Sequence, residues 1–205
     1  MDYLYIFAVS ITVALSGALM PGPLLTAVIY ESARLGPKSG PLMILGHAIL
    51  EIFMVAFIIL GFSKFVHNAF AFRIIAVLGA VILFYFGIRM ILSLPRLSLE
   101  THNVTAKSAN LVFSGITVSI ANPYWAIWWL TIGLGLVLAA QKQGLLAVVI
   151  FFLGHILADF GWYGAISLSV SKGKRFISQR VYQGIIFFCA LALIGFALWF
   201  LWRAL

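Results

Sequence analysis

Residues 41–62 read PLMILGHAILEIFMVAFIILGF, an apolar run interrupted near its middle by His47 and Glu51. A helix that crosses a bilayer needs roughly 20 predominantly apolar residues, so this run is long enough to span. A carboxylate at the centre of such a span costs about 2.5–3.5 kcal/mol on insertion scales, and it therefore has to face a polar interior rather than lipid. The run belongs to a bundle that encloses a polar path. Working outward, five more runs of comparable length and apolarity stand at about 4–30, 70–94, 111–140, 145–170 and 182–203. The expected fold is an all-α integral membrane protein of six transmembrane helices.

Composition agrees with that class. Of the 205 residues 64% are hydrophobic and only 9% charged, whereas a soluble domain has roughly a quarter of its residues charged. A disordered chain needs low hydrophobicity, which excludes that class as well. The single cysteine, Cys189, permits no disulfide within the chain. The net charge of +8 would suggest nucleic acid in a soluble protein. Here the basic residues sit between apolar runs, so they belong to loops beside anionic headgroups, and no nucleic-acid partner is expected. Met1-Asp2-Tyr3 lacks the basic start of a signal peptide, so the first run reads as a retained span.

Assigning each basic residue to the nearest span end puts Arg34, Lys38, Arg89, Arg96, Lys107, Lys172, Lys174, Arg175 and Arg180 on one side. Lys64, Arg73, Lys142 and Arg203 fall on the other. Because cytoplasmic loops carry the excess of Lys and Arg, this distribution places both termini outside.

The run at 145–170 repeats the first one quoted. Gly46-His47-Ala48-Ile49-Leu50-Glu51 corresponds to Gly154-His155-Ile156-Leu157-Ala158-Asp159, both reading Gly-His-x-x-x-carboxylate. Upstream of each lies a proline break, Pro21-Gly22-Pro23 in the first span and Asn122-Pro123 in the fourth. The longest polar stretch falls near the middle of the chain. The expected organisation is a three-helix repeat at 1–97, a connector at 98–110 and a second repeat at 111–205. Three is an odd number, so the second repeat must enter the membrane in the opposite direction, the inverted-repeat architecture of many secondary transporters.

Proline within a helix removes a backbone donor and clashes with the preceding turn, and in lipid the freed groups must be satisfied by something other than water. The helix that restarts after Pro21-Gly22-Pro23 would present the N–H groups of about Leu24, Leu25 and Thr26, a site suited to a carboxylate. At the second break Ser114, Thr117, Ser119 and Asn122 supply side chains that can satisfy the opened backbone or bind a solute, and Tyr124 stands next to the break. Candidate substrate-binding residues are thus Pro21, Gly22, Pro23, Thr26, Asn122, Pro123 and Tyr124. Simple kinks are the structural alternative.

His47 with Glu51 and His155 with Asp159 are i, i+4 neighbours, one turn apart on one helix face. They can form two hydrogen-bonded pairs that exchange protons, or pairs that merely hold helices together. The same four residues, His47, Glu51, His155 and Asp159, form the ligand set of an alternative, a divalent metal exporter. The aromatic group Tyr124-Trp125-Ala126-Ile127-Trp128-Trp129, with Trp162-Tyr163 following Asp159, can wall a solute site and hold a cation over the ring faces if the broken fourth helix faces Asp159. Most of these rings read as helix packing or interfacial belt, and Tyr124 beside the break is the one expected at the solute. Small residues such as Gly133, Gly135, Gly161 and Gly164 permit close helix approach, within one protomer or in a homo-oligomer. No P-loop, haem or iron–sulfur motif and no His-Glu-x-x-His is present, so no cofactor and no enzymatic activity are expected.

Taken together, Pro21-Gly22-Pro23, the segment from Gly79 to Gly87 and Ile88, Ala121-Asn122-Pro123 and the intramembrane Asp159 resemble the LysE/RhtB superfamily, six-helix exporters of bacteria and archaea. Many members carry lysine after Asn-Pro, where this chain has Tyr124, as in a subgroup with aromatic residues there. The resemblance implies residence in the cytoplasmic membrane of a prokaryote, with the lipid bilayer and a small-molecule substrate as partners. It further implies export of amino acids or their analogues, driven by the proton gradient or the membrane potential.

Overall fold

A computed structural model describes residues 2–20, 22–61, 69–96, 108–173, 176 and 178–204. Every regular element among them is helical. In order these are α1 (Tyr3–Ala18), α2 (Pro23–Leu35), α3 (Ser39–Ile59), α4 (Ala69–Ser93), α5 (Ser108–Ile120), α6 (Pro123–Trp128), α7 (Leu134–Gln141), α8 (Leu145–Gly173) and α9 (Gln179–Ala204). A single wide π-helical turn, Trp129–Gly133, joins α6 to α7.

Five segments are long and apolar enough to cross a membrane, and the bent pair of α1 and α2 makes up to six. The first expected span is not one helix over 4–30. It ends at Ala18, restarts at Pro23 after a bend of 77° and continues to Leu35. The run expected at 111–140 likewise stops at Ile120 and restarts at Pro123, leaving α5 a short apolar helix. Both restarts have proline at the first helical position, where its missing N–H has no intrahelical partner to lose. Pro21 lies outside the described residues, as do 98–107 of the expected connector, and Ser108–Asn110 already belong to α5. Gly36 closes α2 and Gly144 sits in the turn between α7 and α8, with φ of 94° and 102°, a region that favours glycine.

Helix packing is paired. α1 lies along α8, α5 along α3 and α4 along α9. Glycines set two of these approaches. A Cβ on Gly46 would overlap the Val112 carbonyl, and one on Gly115 would overlap the Met43 carbonyl, so α3 and α5 touch backbone to backbone. On the other pair a Cβ at Gly154 would lie 2.9 Å from the Phe7 carbonyl oxygen, and Ser10 Oγ donates to the Phe151 carbonyl at 2.5 Å. Gly133 sits beneath the Trp129 ring within the protomer. Gly135, Gly161 and Gly164 meet nothing within 4 Å among the described residues.

Buried side chains form three apolar clusters, around Leu83, Ile186 and Leu193, around Val28, Met43 and Val118, and around Ile58, Trp129 and Phe151. Large apolar residues such as Leu78 and Phe188 face outward, as lipid-facing positions require.

At one end a serine network ties three helices together. Ser32 Oγ meets Ser167 Oγ at 2.7 Å, Ser167 Oγ accepts from the Gly40 N–H at 3.0 Å, and Ser171 Oγ lies 3.0 Å from the Ser32 carbonyl. The C-terminal half of α2, the start of α3 and the end of α8 are thus joined on the side away from the proline breaks.

Candidate functional site

The two Gly-His-x-x-x-carboxylate segments lie on α3 and α8, and the contact between these helices brings all four polar side chains together in the interior. Glu51 is the most enclosed, 1% exposed. Its Oε1 is ringed by nitrogen: Trp129 Nε1 donates at 2.8 Å and Trp125 Nε1 at 3.3 Å, while His47 Nε2 stands at 2.9 Å and His155 Nε2 at 3.3 Å. On its other side His47 Nδ1 meets Ser119 Oγ of α5 at 2.7 Å. A neutral His47 carrying its proton on Nε2 satisfies both contacts, donating to Glu51 and accepting from the serine hydroxyl.

Asp159 is held differently. His155 Nε2 and His47 Nε2 approach its Oδ2 at 3.5 Å and 3.8 Å, too far to hydrogen-bond, and Oδ2 has no hydrogen-bond partner among the described residues although it is buried. A buried polar atom without a partner is costly, and this one lies on a cavity wall. The expectation of two separate intrahelical pairs is therefore met on one side only: His47 pairs with Glu51, while His155 leans toward Glu51 across the helix contact and leaves Asp159 open.

The cavity holds about 440 Å³. Gly22 and Pro23 line it at the first break, Asn122 and Tyr124 at the second, and His47, Glu51, His155 and Asp159 form its polar wall. The two breaks differ in their capping. At the second, Asn122 Oδ1 accepts the Tyr124 N–H at 3.1 Å, so this helix start is closed by its own side chain. At the first, Gly22 offers no side-chain cap. The N–H groups expected there are fewer by one: Thr26 gives both its N–H and its hydroxyl to the Gly22 carbonyl, each at 3.0 Å, and does not line the cavity. Leu24 and Leu25 line the cavity, and their N–H groups, in the first turn of the helix, have no intrahelical acceptor. Pro123 is buried beneath the second break and does not line the cavity, and Pro21 lies outside the described residues.

The cavity thus lies beside both proline breaks, with a polar wall supplied by α3 and α8. Residues 15–203 match the family of LysE type translocators. The chain belongs to this family. LysE type translocators carry small molecules across membranes, so the protein is a multi-pass membrane exporter and the resemblance read from its motifs holds over nearly the whole chain. No curated protein and no solved structure gives a significant match.

For a LysE type translocator, two features of the chamber go beyond the sequence expectations. Trp125 and Trp129, read as packing residues, both donate to Glu51; their i, i+4 spacing on one face of a helix start was the available clue. Phe196, Trp199 and Phe200 of α9 also line the cavity, hidden in a helix that is apolar all round. As metal ligands, His47, Glu51 and Asp159 each bring an atom within 4.8 Å of the others, with His155 outside that set. The Glu51 oxygen nearest the histidines already accepts from two indole N–H groups, which leaves Oε2 as its open oxygen.

Proposed function

We propose that this translocator exports an amino acid or related small zwitterion by proton antiport, with alternating access to the chamber between the proline breaks and the α3–α8 carboxylates. The observation that carries this reading is the presence, on one cavity, of a helix start at Gly22-Pro23 without a side-chain cap and a buried carboxylate, Asp159, whose Oδ2 has no hydrogen-bond partner among the described residues. The substrate carboxylate meets the Leu24 and Leu25 N–H groups, and its ammonium meets Asp159. A proton entering from outside converts the Asp159 carboxylate to the acid, removes the counter-charge and releases the ammonium. The proton then leaves Asp159 on the cytoplasmic side, which restores the site. His47, His155 and Glu51 relay and orient that proton.

The two halves, residues 1–97 and 111–205, rock as inverted repeats. The packing of α1 on α8 and of α5 on α3, each through a close approach near the Gly-His segment, supports that symmetry. Membership of the family supports residence in the cytoplasmic membrane of a prokaryote, and the distribution of basic residues supports an orientation with both termini outside.

The test is thermal stability of the purified protein against a panel of amino acids and divalent metals. Stabilisation by an amino acid that weakens in Asp159→Asn is expected. Stabilisation by a metal alone, lost in a His47→Ala, His155→Ala double variant, would replace this reading with metal export.

A further inference from the structure

The chamber has two unlike walls. Besides the polar wall there is an aromatic one: Tyr124 stacks on Trp199 with ring centroids 5.0 Å apart and planes at 18°, and Phe200 lies 5.7 Å from Tyr124 and 5.6 Å from Trp199. Phe196 extends this surface at 6.2 Å from Phe200. All four side chains line the cavity.

The charge available to a solute is equally lopsided. Each carboxylate on the wall keeps one oxygen without a hydrogen-bond partner among the described residues, Glu51 Oε2 and Asp159 Oδ2. The Glu51 charge is already shared with two indole N–H groups and two imidazoles at Oε1, which leaves Asp159 the less compensated of the two. One counter-charge fits one ammonium. A second cationic group on the solute would meet only ring faces in the aromatic half, which offset less of its desolvation than a carboxylate does, and a second carboxylate would find no lysine or arginine among the described lining residues.

We propose that the substrate is a zwitterion with a bulky apolar or aromatic side chain, phenylalanine or leucine in type, whose side chain packs on Tyr124, Phe196, Trp199 and Phe200 while its head group sits between Asp159 and the start of α2. This inference rests on the amino-acid reading above and narrows it. Small amino acids leave the aromatic wall unfilled, and basic or acidic ones bury an unpaired charge against it.

The experiment is isothermal titration calorimetry of the full-length protein in nanodiscs with L-phenylalanine, L-leucine, L-alanine, L-lysine and L-glutamate. L-phenylalanine and L-leucine are expected to bind at least about tenfold more tightly than the other three, the scale on which an apolar pocket discriminates side-chain size. In Trp199→Ala the ratio of phenylalanine to alanine affinity should collapse toward one, and Phe196→Ala tests the same wall where the first variant does not fold. Lysine, glutamate or alanine binding as tightly as phenylalanine would overturn the inference and leave the amino-acid reading standing. Absence of binding by every amino acid in the panel would overturn both.

Discussion

Replacing Gly46 by alanine should push α3 away from α5 and destabilise the fold, whereas Gly164→Ala should not. The reason is local. A Cβ at Gly46 would overlap the Val112 carbonyl, which belongs to backbone and cannot swing aside, while a Cβ at Gly164 meets nothing within 4 Å. Overpacking of this kind costs about 1–3 kcal/mol, which for a chain of this length lowers Tm by about 2–12 °C. Gly115→Ala, whose Cβ would overlap the Met43 carbonyl, should match it. Gly154→Ala should fall between the extremes, because its nearest neighbours stand at 2.9 Å and 3.0 Å. The same displacement should lengthen the bond of 2.7 Å between Ser119 Oγ and His47 Nδ1, since Ser119 lies one turn beyond Gly115 on α5. The only cysteine, Cys189, is buried, so a thiol-reactive dye reads unfolding directly in detergent. Gly46→Ala and Gly164→Ala melting at the same temperature would refute the backbone contact between α3 and α5.

Three further outcomes are expected. Ser167→Ala removes the acceptor of the buried Gly40 N–H and the partner of Ser32, and should cost about 1–3 kcal/mol, seen as a lower melting temperature in the same dye assay. Trp129→Phe removes a donor 2.8 Å from Glu51 in a fully buried setting and should destabilise by about 1.5–3 kcal/mol, more than Trp125→Phe, whose bond is longer at 3.3 Å. Zinc or manganese should not raise the melting temperature of the wild type; a rise that disappears in His47→Ala would show that the polar wall coordinates metal.

Much of the architecture was legible because bilayer-length apolar runs are an unusually strong pattern, and because Glu51 and Asp159 stand out in such runs. The broken helices were legible from Pro23 and Pro123, which can start a helix but cannot continue one. What the sequence left hidden was lateral. His155 sits one turn from Asp159 in its own helix yet turns toward Glu51, an outcome of how α3 meets α8 that no spacing within α8 encodes. Thr26, placed at the substrate by its position after the break, instead bonds back to Gly22, the competition with backbone that serine and threonine commonly enter. The aromatic wall escaped notice because α9 is apolar on every side, so periodicity could not mark the face that lines the chamber.

The central claim is that Asp159 couples an amino-acid substrate to protons, and transport across a sealed membrane tests it most directly. Purified protein in proteoliposomes, given a pH gradient and radiolabelled L-phenylalanine, should accumulate the amino acid against its concentration gradient. In Asp159→Asn, accumulation driven by the pH gradient should be lost. Accumulation by Asp159→Asn at the wild-type rate and extent would contradict the account.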